Sequence, residues 1–183
     1  MLYPISNVSG IRTLVPKIST HGKPYVYAIR NLSTGLLFGA KQDDFDFNIS
    51  TDKDGKPTIS ECYPKAFEKA YKGKSCSVYL LKEDGFREGM TGWSEELVCE
   101  NPVNVDNEIH IEDLYTRLLK EQHEGNLIIK FYEDTKEYKS FISEHIVDRL
   151  IRFDALDSSD SRLQQHYGAI IAALKEVMNG HLL

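Results

Sequence analysis

The two kinds of hydrophobic periodicity in this sequence are separated along the chain, and this separation constrains the fold most. Up to about residue 105, apolar residues alternate with polar ones in short runs, which is typical of half-buried strands. From about residue 106 they recur every three or four positions in longer runs, which is typical of amphipathic helices. Strands followed by helices favour an α+β fold over an alternating βαβ fold. We therefore predict a strand-rich core at 1–105 and a mainly helical extension at 106–183, packed on it within one structural domain.

Turn residues divide the strand-rich core into short elements. Two helices are predicted within it, one at 34–41 with Ser33 or Thr34 as its N-cap and one at 64–71. The hairpin at 50–61 nearly matches a calcium-binding loop, but Ser50 occupies the first ligand position and the flanks are predicted strands, so no metal is expected. The predicted strands cover residues 2–6, 11–16, 25–29, 45–49, 58–60, 75–82 and 95–99.

The extension is predicted to contain three helices and one strand. Ile109, Ile111 and Leu114 lie at near-helical spacing, so the first helix is predicted to run from Asp106 towards Gly125. A strand at 126–132 and helices at 138–153 and 161–178 follow. The last helix has an apolar stripe that must be covered, either by the strand-rich core or by a second subunit in a homodimer. The stripe consists of Leu163, Tyr167, Ile170, Ile171 and Leu174.

Charge and cysteine content narrow the possible partners and the compartment. The 28 acidic and 22 basic residues give a net charge of −6, which disfavours general binding to nucleic acids or anionic membranes. No apolar run approaches the roughly 20 residues that span a membrane, and no signal peptide is visible. Cys62, Cys76 and Cys99 are few, odd in number and without a CxxC spacing. These features predict reduced thiols, no zinc site and a cytoplasmic location.

Three segments of the strand-rich core occur in an order that has functional meaning. The first predicted strand contains Pro4, Ile5 and Ser6, and the third contains Tyr27 between apolar neighbours. A late strand begins near Glu96 and runs into Asn101-Pro102-Val103. This arrangement resembles ADP-ribosyltransferase-like domains of the His-Tyr-Glu type over residues 1–105. In that family the first strand carries a His-Gly-Ser-like motif, the second a tyrosine, and the late strand a glutamate.

The resemblance implies a nucleotide site with NAD as the substrate. Glu96 would be the catalytic acid, and Tyr27 and Phe38 would hold the nicotinamide ring. Ile5 and Ser6, from the first strand, would bind the ligand as well, with backbone groups near Ile5 holding the nicotinamide amide. The family histidine, which contacts the adenosine ribose, is replaced here by Pro4, which offers no side-chain donor and no N–H. His21, which precedes the tyrosine strand, is the candidate substitute for that histidine.

Three functions from different classes are compatible with these residues. The first is an enzyme of the ADP-ribosyltransferase or NAD glycohydrolase type, whose carboxylate would stabilise positive charge on the ribose. The second is a module with the same fold that binds a nucleotide-like ligand without catalysis, as Pro4 favours. The third is an interaction protein that works through its C-terminal helices. The first of these functions predicts a concave site lined by Tyr27, Phe38 and Glu96.

Overall fold

The computed structural model describes residues 1–18, 22–91 and 93–180. Its strands pair mainly in antiparallel sheets and its three longest helices lie in the C-terminal part, so the predicted α+β class is confirmed. The strands are β1 Ile5–Ser6, β2 Thr13–Leu14, β3 Lys17–Ile18, β4 Pro24–Ile29, β5 Phe47–Thr51, β6 Pro57–Glu61, β7 Cys76–Leu80, β8 Arg87–Glu88, β9 Glu96–Cys99, β10 Val103–Asn104, β11 Asn107–Ile111 and β12 Ile128–Lys130. The helices are α1 Leu32–Leu36, α2 Ala66–Tyr71, α3 Leu114–His123, α4 Lys136–Arg152 and α5 Ser161–Gly180.

The first residues of the chain lie between two sheets, one with the strand order β3-β4-β9-β8 and one with the order β1-β7-β11. Leu2 pairs with Leu81 just after β7. On the other side, the Tyr3 N–H donates to the Ile29 carbonyl of β4 at 2.9 Å. This short segment therefore joins β4 to β7, and any space between the two sheets lies beside it.

The hairpin between β5 and β6 forms at the predicted position. Phe47 pairs with Glu61 and Thr51 with Pro57 in antiparallel register. The Asp52 carboxylate accepts hydrogen bonds from two backbone N–H groups of the turn, at 2.8 and 2.9 Å. Such an aspartate-stabilised turn explains the composition of 52–56 without a bound cation.

The helix predicted from Asp106 is wrong at its start. Ile109 and Ile111 belong to β11, which pairs antiparallel with β7 over five residues. The helix α3 begins only at Leu114, where the Asp113 carboxylate caps it by accepting from the Thr116 N–H at 3.0 Å. Ile109 and Ile111 are two residues apart, a spacing that also fits a strand, and pairing with the free edge of β7 decides between the two.

The helix predicted at 34–41 lies earlier and is shorter. It covers Leu32–Leu36, and its N-cap is Asn31, whose side chain accepts from the Thr34 N–H at 3.0 Å. An asparagine at this position satisfies one of the unpaired N–H groups of the first turn, as the predicted serine or threonine cap would have done. The shift matters for the site, because it leaves Phe38 outside the helix, two residues after its end.

The extension packs against the strand-rich core of its own chain. β11 and β12 pair with β7 and β6. Leu163, Tyr167 and Ile171 of α5 are buried in the main core, and the Tyr167 hydroxyl donates to the Phe45 carbonyl at 2.6 Å. The apolar stripe of the last helix is thus covered within the chain. The homodimer stays a prediction.

Two further observations concern the described residues as a whole. Within 1–18, 22–91 and 93–180, no helix is both long and apolar enough to cross a membrane. The three cysteines are buried and form no disulfide. Burial raises the pKa of the Cys76 thiol to about 11, so this thiol is protonated and unreactive at neutral pH.

Candidate functional site

A pocket of about 150 Å³ lies where the N-terminal segment meets β4. Its walls come from the first strand, from β4, from α1 and the turn after it, and from the start of β9. Most of the lining is apolar or aromatic, and Glu96 is the sole charged side chain among the described residues that line it. The lining residues are Tyr3, Pro4, Ile5, Tyr27, Ala28, Ile29, Gly35, Phe38 and Glu96.

Tyr27 and Glu96 share one face of the β4–β9 pair. Glu96 lies directly opposite Ile29, and Tyr27 is two residues before Ile29, on the same side of the strand. Diagonal neighbours of this kind are about 7–8 Å apart in an antiparallel pair. Both side chains are half-buried. They can therefore contact a single small group bound between them.

Aromatic side chains form the outer part of the pocket. Phe38, two residues after α1 ends, keeps 44% of its surface exposed even though it follows a buried helix. Its ring lies 5.5 Å from the ring of Trp93, centroid to centroid, at an angle of 58°. Trp93 is held next to the site by a turn in which its carbonyl accepts from the Glu96 N–H at 3.2 Å. Exposed aromatic faces at a pocket suit a flat ligand ring.

The backbone of Ile5 faces the pocket side of the first strand. The Pro4 carbonyl accepts from the Tyr79 N–H at 2.9 Å, so residue 4 directs its carbonyl towards β7. Because these directions alternate along a strand, the N–H and the carbonyl of Ile5 point to the opposite side, as the Tyr3 N–H does. That side is the pocket. Ile5 therefore presents one donor and one acceptor that fit a carboxamide.

Gly35 keeps the floor of the pocket open. A Cβ atom at this position would lie 3.3 Å from Ile5 Cγ1 and 3.4 Å from the Tyr3 carbonyl oxygen. Both distances are close to the limit of van der Waals contact. A side chain on this face of α1 would therefore push the first strand away or fill part of the pocket.

A second depression of about 240 Å³, here called the adjoining groove, shares Pro4, Ile5 and Tyr27 with the pocket. Pockets for whole ligands usually measure about 300–1,000 Å³, so the pocket alone takes one ring and its substituents. Together, the two volumes fall within this range. The remaining lining of the groove is Ser6, Ile11, Thr13, Leu14, Val15, Lys17, Tyr25 and Val26.

Arg30, the charged residue that directly follows β4, is neutralised by two carboxylates of the same chain. Arg30, which follows Ile29, forms ion pairs with Glu83 and Glu88. Hydrogen bonds to these two carboxylates raise the pKa of Arg30 above its ordinary value. The guanidinium is thus occupied by its own partners, and Glu96 provides the charge inside the pocket.

The structure brings together four of the six predicted site residues. Ile5, Tyr27, Phe38 and Glu96 line one pocket. Ser6 lines the adjoining groove instead, and its hydroxyl oxygen accepts from the Val8 N–H at 3.1 Å. His21 lies outside the described residues.

Sequence reasoning missed Gly35 and the pairing of Trp93 with Phe38. Trp93 is the sole tryptophan of the chain and lies two residues before the predicted strand 95–99, which was a usable signal. Nothing comparable marked Gly35, because its role depends on the distance between α1 and the first strand.

No family model, no curated protein and no solved structure matches this chain. What the site can do chemically follows from its residues. The aromatic side chains and the Ile5 backbone can hold a flat carboxamide-bearing ring. A carboxylate fixed at the start of a strand can then stabilise positive charge on a sugar attached to that ring.

Proposed function

We propose that this chain binds the nicotinamide and ribose groups of NAD, or of a related nucleotide, in the pocket. It then cleaves the bond between the nicotinamide and the ribose. The observation that carries the proposal is the convergence of Ile5, Tyr27, Phe38 and Glu96 on one pocket from four separate segments. These residues match the pattern of ADP-ribosyltransferase-like domains. Their convergence supports the pattern, since matches by chance have no reason to meet in space.

The reaction breaks the bond between the nicotinamide nitrogen and the C1 carbon of the ribose. The bonding electrons leave with nicotinamide, which becomes neutral, and positive charge develops on the ribose ring. The Glu96 carboxylate orients a ribose hydroxyl and stabilises this charge. A nucleophile then attacks the C1 carbon and loses its proton. Water as the nucleophile makes the protein a glycohydrolase, and a hydroxyl or amine of another molecule makes it a transferase.

Binding is tested by titration of the protein with NAD, observed through calorimetry and through the fluorescence of Trp93. We expect NAD to change the fluorescence, because the indole lies against Phe38 at the pocket. Tyr27→Ala should weaken binding, since it removes one wall. An absence of heat and of any fluorescence change up to millimolar NAD would overturn the proposal.

Catalysis is tested separately by measuring nicotinamide release. Glu96→Gln should slow release by roughly 10²–10³-fold while NAD still binds. The matched control is Glu95→Gln, which makes the same change one residue earlier, at a side chain outside the pocket lining. Equal loss of activity in the two variants would contradict the role given to Glu96.

Pro4 favours a second candidate function, the binding of a nucleotide without its cleavage. Pro4 is buried, lines both the pocket and the adjoining groove, and has no N–H to offer a ligand. The residue that the family uses to contact the adenosine ribose is therefore replaced. Micromolar binding of NAD with no nicotinamide release by the wild-type protein, even with added acceptors, would select this alternative.

A further inference from the structure

One wall of the adjoining groove is formed by a segment that leaves the sheet. This segment, residues 7–18, is here called the N-terminal arm. After β1 it crosses to β10, where Thr13 pairs with Asn104, and it returns to β4, where Lys17 pairs with Tyr25. Along this path it provides Ile11, Thr13, Leu14, Val15 and Lys17 to the groove.

Apolar packing holds the arm at Leu14, which lies against a small buried core cluster at the junction of the first residues, β4 and β9. Other apolar side chains of the arm are largely exposed. Val8 is 54% exposed, Val15 52% and Ile18 75%. Segments with few buried apolar contacts open locally at a low cost in free energy. Away from Leu14, the arm therefore depends on hydrogen bonds to stay over the groove.

Two residues that face each other across β7 and β11 hold the start of the arm. The Glu108 carboxylate accepts from the Gly10 N–H with both oxygens, at 3.0 and 3.1 Å. The Tyr79 hydroxyl donates to the Val8 carbonyl at 2.6 Å and accepts from the Ile11 N–H at 3.2 Å. Tyr79 and Glu108 are direct cross-strand partners, so these bonds act at one place on the arm.

We infer that Tyr79 and Glu108 are positioning residues that hold the N-terminal arm closed over the adjoining groove and so retain the ligand. The inference rests on the proposed function, because the pocket itself holds only the ring. The sugar and phosphate groups of a nucleotide must then extend into the adjoining groove, under the arm. Loss of the bonds to the arm opens this wall while the buried ring of Tyr79 and the core remain in place.

Charge supports the same arrangement. Hydrogen bonds from Ser77 and from the Gly10 N–H, together with the electrostatic influence of His110, lower the pKa of Glu108. The carboxylate is therefore ionised at neutral pH. An ionised acceptor forms stronger hydrogen bonds to backbone N–H groups than a neutral one does.

The opening of the arm is measured by hydrogen exchange at the Gly10 and Ile11 amides without any ligand. Glu108→Ala and Tyr79→Phe should each speed this exchange by roughly five- to tenfold. Glu108→Gln keeps one acceptor oxygen and should give an intermediate rate. The control is Glu112→Ala, an exposed carboxylate of the segment that follows β11. Exchange in the core strand β7 should not change, which separates local opening from unfolding.

The retention of the ligand is measured by stopped-flow fluorescence of Trp93 during NAD release. Glu108→Ala and Tyr79→Phe should release NAD roughly five- to tenfold faster, while the wild-type rate persists in the control. Unchanged amide exchange would overturn the inference, and so would faster exchange with an unchanged release rate. A wild-type protein that does not bind NAD would instead overturn the proposed function, and the exchange rates would still decide whether Glu108 and Tyr79 hold the arm.

Discussion

Replacement of Glu61 tests how the strand-rich core is joined to the extension. Glu61 ends β6 and only 3% of its surface is exposed. One carboxylate oxygen accepts from the Phe67 N–H in the first turn of α2 at 2.7 Å, and the other accepts from the Tyr132 N–H after β12 at 2.8 Å. A single buried side chain therefore connects three elements, and Glu61→Ala removes both connections.

The expected magnitude follows from these two bonds. A hydrogen bond to a charged acceptor contributes about 1.5–3 kcal/mol, so the loss of both would cost about 3–6 kcal/mol. A pocket of about 300 Å³ that Glu61 helps to line gives water a route to the exposed N–H groups. Removal of a buried carboxylate also relieves its desolvation. We therefore expect the lower end, about 3 kcal/mol, for Glu61→Ala and about half of that for Glu61→Gln, which keeps one acceptor.

Urea unfolding and thermal melts measure this change in the free energy of unfolding. For a protein of this size, about 3 kcal/mol lowers the melting temperature by roughly 6–12 °C. The control is Glu68→Gln on α2, whose carboxylate pairs with Lys72 at the surface and should leave the midpoint unchanged. The reasoning is refuted if Glu61→Ala melts within error of this control.

Three other changes have defined outcomes. Gly35→Ala should leave the stability of the protein unchanged, because a gain in helix propensity of about 1 kcal/mol offsets the tight contact with Ile5. Its affinity for NAD, measured by fluorescence, should nevertheless fall. Gly39→Ala should lower the free energy of unfolding, measured in urea, by about 1–3 kcal/mol, because the added Cβ would lie 2.9 Å from buried side chains. Unchanged stability would contradict that overlap. Because the pKa of Glu108 is lower in the folded protein, its hold on the arm is complete above the ordinary glutamate pKa and is lost as the pH falls through the folded value. Exchange at the Gly10 amide, corrected for intrinsic rates, should therefore accelerate in that acidic range in the wild type but not in Glu108→Ala.

The proposed site depends on pairing between segments that are far apart in the sequence. The alternating pattern around Tyr27 predicts a strand, and so does the pattern after Glu96. Only the register of β4 against β9 decides that Tyr27 and Glu96 lie on the same face. A shift of one residue would have placed them on opposite sides of the sheet.

Local pattern and turn chemistry determined much of the fold. The α+β class, the β5–β6 turn around Asp52 and the apolar stripe of the last helix follow from the sequence, because side chains a few residues apart control each of them. Local pattern did not predict which strands pair with each other, and the wrong prediction at Ile109 shows the consequence. The spacing of Ile109 from Leu114 fits a helix, but pairing with the open edge of β7 makes Ile109 part of a strand.

The tertiary structure alone decided which residues act together. Glu61 connects three elements, Gly35 leaves room beside Ile5, and Trp93 meets Phe38, although no local pattern marks any of these relations. Each depends on the distance between elements that are packed by the whole core. The sequence therefore determined the kinds of elements and the candidate residues. Long-range packing determined the pocket, because distances between elements are set by the whole core and not by neighbours along the chain.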